Sequence, residues 1–238
     1  VLFILALACT DGSGPDSGDS TTDSQEFKVL VPTQTGVLFY HGHGGENGTA
    51  SGEAAWDDAA TALEGEGWTV TRRDTLGDTT AFRMIVLLDP GHYDDLSFGP
   101  GAVELLEDAL STGTRIVLTT SALTCAANSP SGLLSELGMG MALTGSPAGE
   151  PIVTEPGSTT HPAVEGVGTV LLSDPCSFTT SGAEPLLFGE RDVFSAAERH
   201  PLGGDVVVVG DQRFADNTKL PQRDNLQFLL NLAAVAEE

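Results

Sequence analysis

The feature that most constrains this chain is a set of short apolar runs that do not alternate with polar residues. Asp205–Val209 reads DVVVV, Arg115–Thr119 reads RIVLT, residues 83–88 read RMIVLL, and residues 35–40 read TGVLFY. A strand wetted on one face alternates apolar and polar side chains, whereas one buried on both faces stays apolar throughout. Between these runs the spacing becomes helical. Residues 52–65 place Ala55, Trp56, Ala59, Ala60 and Leu63 on one face, and residues 101–110 do the same with Val103, Leu106 and Leu110. Further strands are expected at 68–72, 168–172 and 185–188. A short helix is expected at 131–137, and a closing helix at 225–236 carries Leu226, Leu229, Leu230 and Ala233. Strands alternating with helices build parallel βαβ units. The expected fold is therefore an α/β three-layer sandwich around a mostly parallel central sheet. Residues 122–162, rich in Gly, Ser and Pro, are expected to form an irregular excursion over the strand ends, with some extended structure.

The start of the sequence carries a different signal. Val1–Ala8 is an unbroken apolar run that ends at Cys9. It falls short of the roughly 20 residues that cross a bilayer and fits the apolar region of an export signal. It resembles a bacterial lipoprotein leader, with Cys9 as the lipidated residue. Leu5 stands four residues before Cys9 rather than three, and Ala6-Leu7-Ala8 also suits ordinary signal cleavage, so both readings stand. Residues 10–25 are Ser, Thr, Asp and Gly with little else, and are read as a disordered spacer. Residues 26–238 then form one domain. Of three cysteines, assigning Cys9 to a lipid leaves Cys125 and Cys176. They are read either as a disulfide, which an oxidising compartment permits, or as two buried thiols.

The formal net charge of -24, with Lys28 and Lys219 the only lysines, excludes nucleic acid and anionic lipid as partners. The expected location is the bacterial cell envelope, as an outer-membrane lipoprotein facing the periplasm or the surface, with membrane contact only through Cys9.

Two stretches near the end carry a family likeness. Gly204-Asp-Val-Val-Val-Val-Gly210-Asp211-Gln-Arg213-Phe214 is followed by Asp224-Asn225-x-x-Phe228-Leu-Leu-Asn231-Leu232. With His161-Pro162-x-x-x-Gly166 and the opening Leu38-Phe-Tyr-His-Gly-His-Gly, they resemble the GldG-like and intraflagellar-transport-like domains. Those domains belong to the class I glutamine amidotransferase-like superfamily, together with the ThuA-like proteins. The likeness is scattered over residues 35–236. It implies an amidotransferase-like (flavodoxin-like) sheet. The residues have plain structural readings too: Asp211 satisfies loop N–H groups, Asp224 or Asn225 caps the last helix, and Phe228 and Leu229 pack it on the sheet.

Ligands of open α/β sheets bind beyond the carboxyl ends of the strands. The candidates there are His41, His43 and Glu46 after the first strand, and Asp89 and His92 after the third. Thr120 and Ser121 follow the fourth, and Asp211 and Arg213 follow the last. His41, His43, Asp89 and His92 are weak candidates for a divalent metal; their spacing is not a recognised zinc pattern. No catalytic residue and no cofactor is assigned. Amidotransferase chemistry needs a cysteine on a strand-to-helix elbow activated by a histidine. Here that elbow reads Thr120-Ser121-Ala122, with no Gly-x-Cys-x-Gly, and it is not a Gly-x-Ser-x-Gly elbow either. The expected function is a non-catalytic binding or assembly module that receives an envelope protein or glycan-like ligand. The alternative is a metal-assisted hydrolase of sugar-like substrates, as the ThuA-like resemblance implies.

Overall fold

The computed structural model describes residues 34–43, 55–91 and 98–234. The proposed leader and lipidation site at Cys9, the spacer, Glu46 and His92 lie outside them.

Five strands form the parallel half of the sheet: β1 (Gly36–Tyr40), β2 (Thr69–Arg73), β3 (Phe82–Leu87), β4 (Arg115–Thr119) and, last in sequence, β11 (Asp205–Val209). Their spatial order is β2-β1-β3-β4-β11, with every neighbour parallel. The chain leaves β1 for β2 on one side and returns to β3 on the other, so the direction of winding reverses between β1 and β3. Helix α1 (Asp57–Gly65) makes the crossover from β1 to β2 and α2 (Pro100–Ser111) the one from β3 to β4. β4 and β11 have the bounds that their apolar runs predict; β1, β2 and β3 shift by one residue.

The sheet is not mostly parallel, and this corrects the expectation. Beyond β11 it continues through β10 (Val193–Arg199), β9 (Glu184–Phe188), β6 (Ile152–Pro156) and β7 (Val170–Leu172), each antiparallel to its neighbour. β5 (Met141–Pro147) and β8 (Cys176–Thr180) pair with each other beside β10. The cause is connection length. A long crossover favours a parallel return, whereas the links from β9 to β10 and from β10 to β11 are hairpin-short and join antiparallel neighbours. The supposed irregular excursion over 122–162 is ordered as well. It contains helices α3 (Ala122–Ala127) and α4 (Ser129–Glu136), then β5 and β6.

Burial on both sheet faces explains the unalternating runs. Val37, Phe39, Met84, Val86, Val117, Val207 and Val209 join one apolar cluster with α1 and with α5 (Asn225–Ala233). Leu38, Tyr40, Ile85, Leu87, Ile116, Leu118, Val206 and Val208 join a second with α2 and α4. Successive strand residues point to opposite faces, so each run feeds both clusters. Phe228 and Leu229 are fully buried and pack α5 on the first face, as expected.

Asp224 and Asn225 do not cap α5 with their side chains. The Asp224 carboxylate accepts the N–H groups of Gly168 and Thr169 (2.9 and 2.8 Å). The Asn225 amide bridges Leu171 and Phe214. Both side chains tether edge strand β7, a more demanding task than capping because its backbone groups have no further strand to bond. No helix among the described residues is long and apolar enough to cross a membrane.

Candidate functional site

The carboxyl ends of β1, β3, β4 and β11 stand side by side, and their first loop residues form a rim. At the end of β1, Tyr40 is followed by His41, Gly42 and His43. A Cβ on Gly42 would stand 2.2 Å from the Asp74 carbonyl oxygen and 2.3 Å from the Tyr40 hydroxyl, so only glycine fits. That gap lets the Tyr40 phenol reach His43 Nδ1. The His43 ring stacks on Phe98 at 4.2 Å between centroids. Its backbone is left-handed (φ 53°), which costs a non-glycine residue about 1 kcal/mol or more. Burial lowers the His43 pKa, favouring neutral imidazole. Burial, aided by the Asp74 carboxylate, pushes the Tyr40 phenol up to about 12. The His41 N–H donates to the Arg73 carbonyl (3.0 Å), which fastens the loop to β2.

At the end of β3, Asp89 is fully buried and also left-handed (φ 47°). Its N–H donates to Thr119 Oγ1 at 3.0 Å, and its carboxylate accepts from Thr124 Oγ1. Thr124 belongs to a capping box that starts α3. The Ser121 N–H donates to Thr124 Oγ1 (2.8 Å), and the Thr124 N–H donates to Ser121 Oγ (3.4 Å). The strand-to-helix elbow after β4 is thus a helix cap wired to the buried acid of the neighbouring strand. One residue beyond Thr124, Cys125 forms a disulfide with Cys176 at the start of β8, with 5.7 Å between the Cα atoms. The disulfide reading of this pair holds, and the two-thiol reading is set aside.

At the end of β11, Gly210 is followed by Asp211, 3 % exposed. Its carboxylate accepts the N–H groups of Ser173 and of Arg213 (2.8 Å for the latter). Loop N–H groups are satisfied here as the sequence predicts. Burial pushes its carboxyl up to about 6, and Asp216 adds to the rise; the two backbone donors and the Arg213 charge oppose it. Arg213 turns away and donates Nε to Asp216 at 2.9 Å.

Of the candidates, His41, His43, Asp89, Ser121, Asp211 and Arg213 all follow strand ends on this rim. Asp89 and Ser121 are brought together, both bonded to Thr124. His43 meets the Asp89 loop only through its carbonyl, which accepts the Gly91 N–H (2.7 Å). Among the described residues no three His, Cys, Asp or Glu side chains gather closely enough to hold a metal ion. Sequence reasoning passed over Tyr40, Thr124 and Ser173. Only Thr124 carried a local signal, as the residue three places after a serine N-cap.

The other described histidines lie at the opposite end of the sheet. His161 Nε2 is 3.8 Å from Asp205 Oδ2, at the start of β11. His200 Nε2 donates to the Leu137 carbonyl at 3.1 Å. Neither can reach the elbow after β4, about a strand length away.

This layout can be set beside known proteins. The mmIFT52 N-terminal domain superposes with a TM-score of 0.64 at 11% identity, over 85% of this chain and 99% of that one. A glutamine amidotransferase from Thermotoga maritima gives 0.54 at 12%, over 84% and 96%. A ThuA-like protein from Bacteroides uniformis gives 0.51 at 15%, over 84% and 90%. The fold is amidotransferase-like. At these identities the likeness is one of fold alone. No protein-family model and no curated protein matches the sequence.

Proposed function

We propose that this chain is a non-catalytic module of amidotransferase-like fold, a three-layer sandwich that binds a partner on its strand-end rim. In this reading it is exported and tethered to the bacterial cell envelope through Cys9, and it receives an envelope protein or a glycan-like ligand. The observation that carries the non-catalytic part is the elbow after β4. Where an amidotransferase needs a cysteine nucleophile, Ser121 and Thr124 form a helix cap, and the nearest cysteine is bonded to Cys176. His161 and His200 lie at the far end of the sheet, so neither can activate a group there. The Cys125–Cys176 disulfide supports an oxidising compartment.

The test is an activity screen on the purified chain. Glutamine and chromogenic glycosides are offered with and without added zinc, beside Ser121→Ala, His41→Ala and His43→Ala. The expected result is no turnover above buffer in any case. Turnover that needs zinc and vanishes in His41→Ala or His43→Ala would establish the sugar-directed hydrolase instead. Turnover lost only in Ser121→Ala would establish a serine enzyme.

A further inference from the structure

Two hydroxyls beside Asp211 are sealed from water without a hydrogen-bond partner: Thr120 Oγ1 and Ser173 Oγ. Thr120 is 0 % exposed. Its N–H donates to the Val209 carbonyl (3.2 Å) and its carbonyl accepts the Gln212 N–H (2.6 Å), so it brackets the turn that carries Asp211. Ser173 approaches the same turn and gives its N–H to the Asp211 carboxylate. A buried hydroxyl without a partner costs about 1–3 kcal/mol, and here two residues whose backbones are bonded to the Asp211 turn each carry one.

We propose that Thr120, Ser173 and Asp211 bind a monovalent alkali cation at the carboxyl ends of β4 and β11. The donors are all oxygen, the set that hard cations select. The local charge fixes the valence. Asp211 and Asp216 are both buried, and the Arg213 guanidinium that contacts Asp216 offsets one of the two carboxylates. Asp211 itself accepts backbone N–H groups, and the Arg213 charge that acts on it is shared with Asp216. One negative charge is left over, and a singly charged ion neutralises it. The chain's net charge of -24 raises the local concentration of any cation. This site lies on the rim, but the inference needs neither the proposed partner nor the tether.

Thermal unfolding of the full chain at pH 8 and fixed ionic strength tests it, with sodium, potassium or N-methylglucamine as the chloride salt. The melting point should rise saturably with one alkali ion and stay flat with N-methylglucamine. Thr120→Val and Ser173→Ala keep the backbone bonds, and each should raise the half-saturating concentration roughly tenfold, the size of one lost bond to a charge. A hydroxyl with no ion to hold gives the opposite sign: Thr120→Val then stabilises the chain in every salt alike. Thallium-soaked crystals should show an anomalous peak between Thr120 and Asp211. Identical melting in the three salts, or an internal water only at that place, overturns the proposal.

Discussion

The two ends of the sheet share strands and flanking apolar clusters, yet they treat polar groups in opposite ways. At the amino end, Arg115 is 2 % exposed and every guanidinium nitrogen is used. Nε and Nη2 donate to the Asp205 carboxylate (2.9 and 2.7 Å), and Nη1 donates to the Leu232 carbonyl (2.9 Å) at the end of α5. Asn231 donates to the Ala163 and Glu165 carbonyls, which binds the His161–Glu165 loop to the same helix. At the carboxyl end, two non-glycine residues, His43 and Asp89, are left-handed. Two hydroxyls lack partners, and one buried carboxyl is held only by backbone. Around Arg115 the amino end consumes its polar capacity internally and fastens helix to sheet. The carboxyl end stores strain and leaves hydrogen-bonding capacity unspent, the condition under which a site can accept a ligand.

The largest expected effect tests the amino end. Arg115→Ala leaves Asp205 buried beside a vacated guanidinium site, and removing one partner of a buried pair costs about 3–5 kcal/mol. Urea unfolding should show a loss of that size. A loss under about 1 kcal/mol, the range of exposed pairs, would mean that the amino end is no more fixed than a surface.

The pH dependence separates the two ends by sign. Burial alone would raise the Asp205 carboxyl, but His161 and Arg115 outweigh it and hold it down to about 2. Folding therefore favours the charged form. Asp205 contributes about 2 kcal/mol that is present above pH 4 and lost as pH falls towards 2. Asp211, raised to about 6, does the reverse. Its folded state favours the protonated form, so its contribution is best below pH 4 and declines by up to about 3 kcal/mol as pH climbs through 6. Denaturation measured from pH 3 to 8 should show Asp211→Asn flattening the slope between pH 4 and 6. Asp205→Asn should flatten it only below pH 4. If Asp211→Asn leaves the curve unchanged, its burial carries no electrostatic cost and the contrast between the ends weakens.

How much of this was legible follows from where each interaction is encoded. β4 and β11 were legible because Val, Ile and Leu declare strands buried on both faces. β10 was missed because its middle is Ser-Ala-Ala, poor strand formers whose pairing comes from β11 and β9 on either side. β6 ends in Pro156, and β5 contains Gly145 and ends in Pro147, residues that read as loop. The rim residues were found by the rule that loops after parallel strands carry the site, which needs only strand positions. Ser173 was not, because 38 residues separate it from Asp211 and only the folded turn there makes them neighbours. The Arg115–Asp205 pair spans 90 residues and is hidden for the same reason.

The smallest effect asks whether the elbow after β4 belongs with the ligand-accepting rim or with the structural end. Ser121 is the N-cap of α3, and replacing a serine N-cap by alanine costs about 0.5–1 kcal/mol in the milder cases. Ser121→Ala should sit at that mild end, because the Ser121 N–H keeps its bond to Thr124 Oγ1. Ser121→Asn should restore the loss, since an asparagine carbonyl caps as well as a hydroxyl. Asparagine is the choice over aspartate because the Asp89 carboxylate stands one hydrogen bond away through Thr124, and a second charge there would be repelled. Thermal melts of the three proteins decide it. Rescue by asparagine assigns the hydroxyl to helix capping, whereas a nucleophile or ligand contact would stay lost in both variants, and partner binding would fall with it.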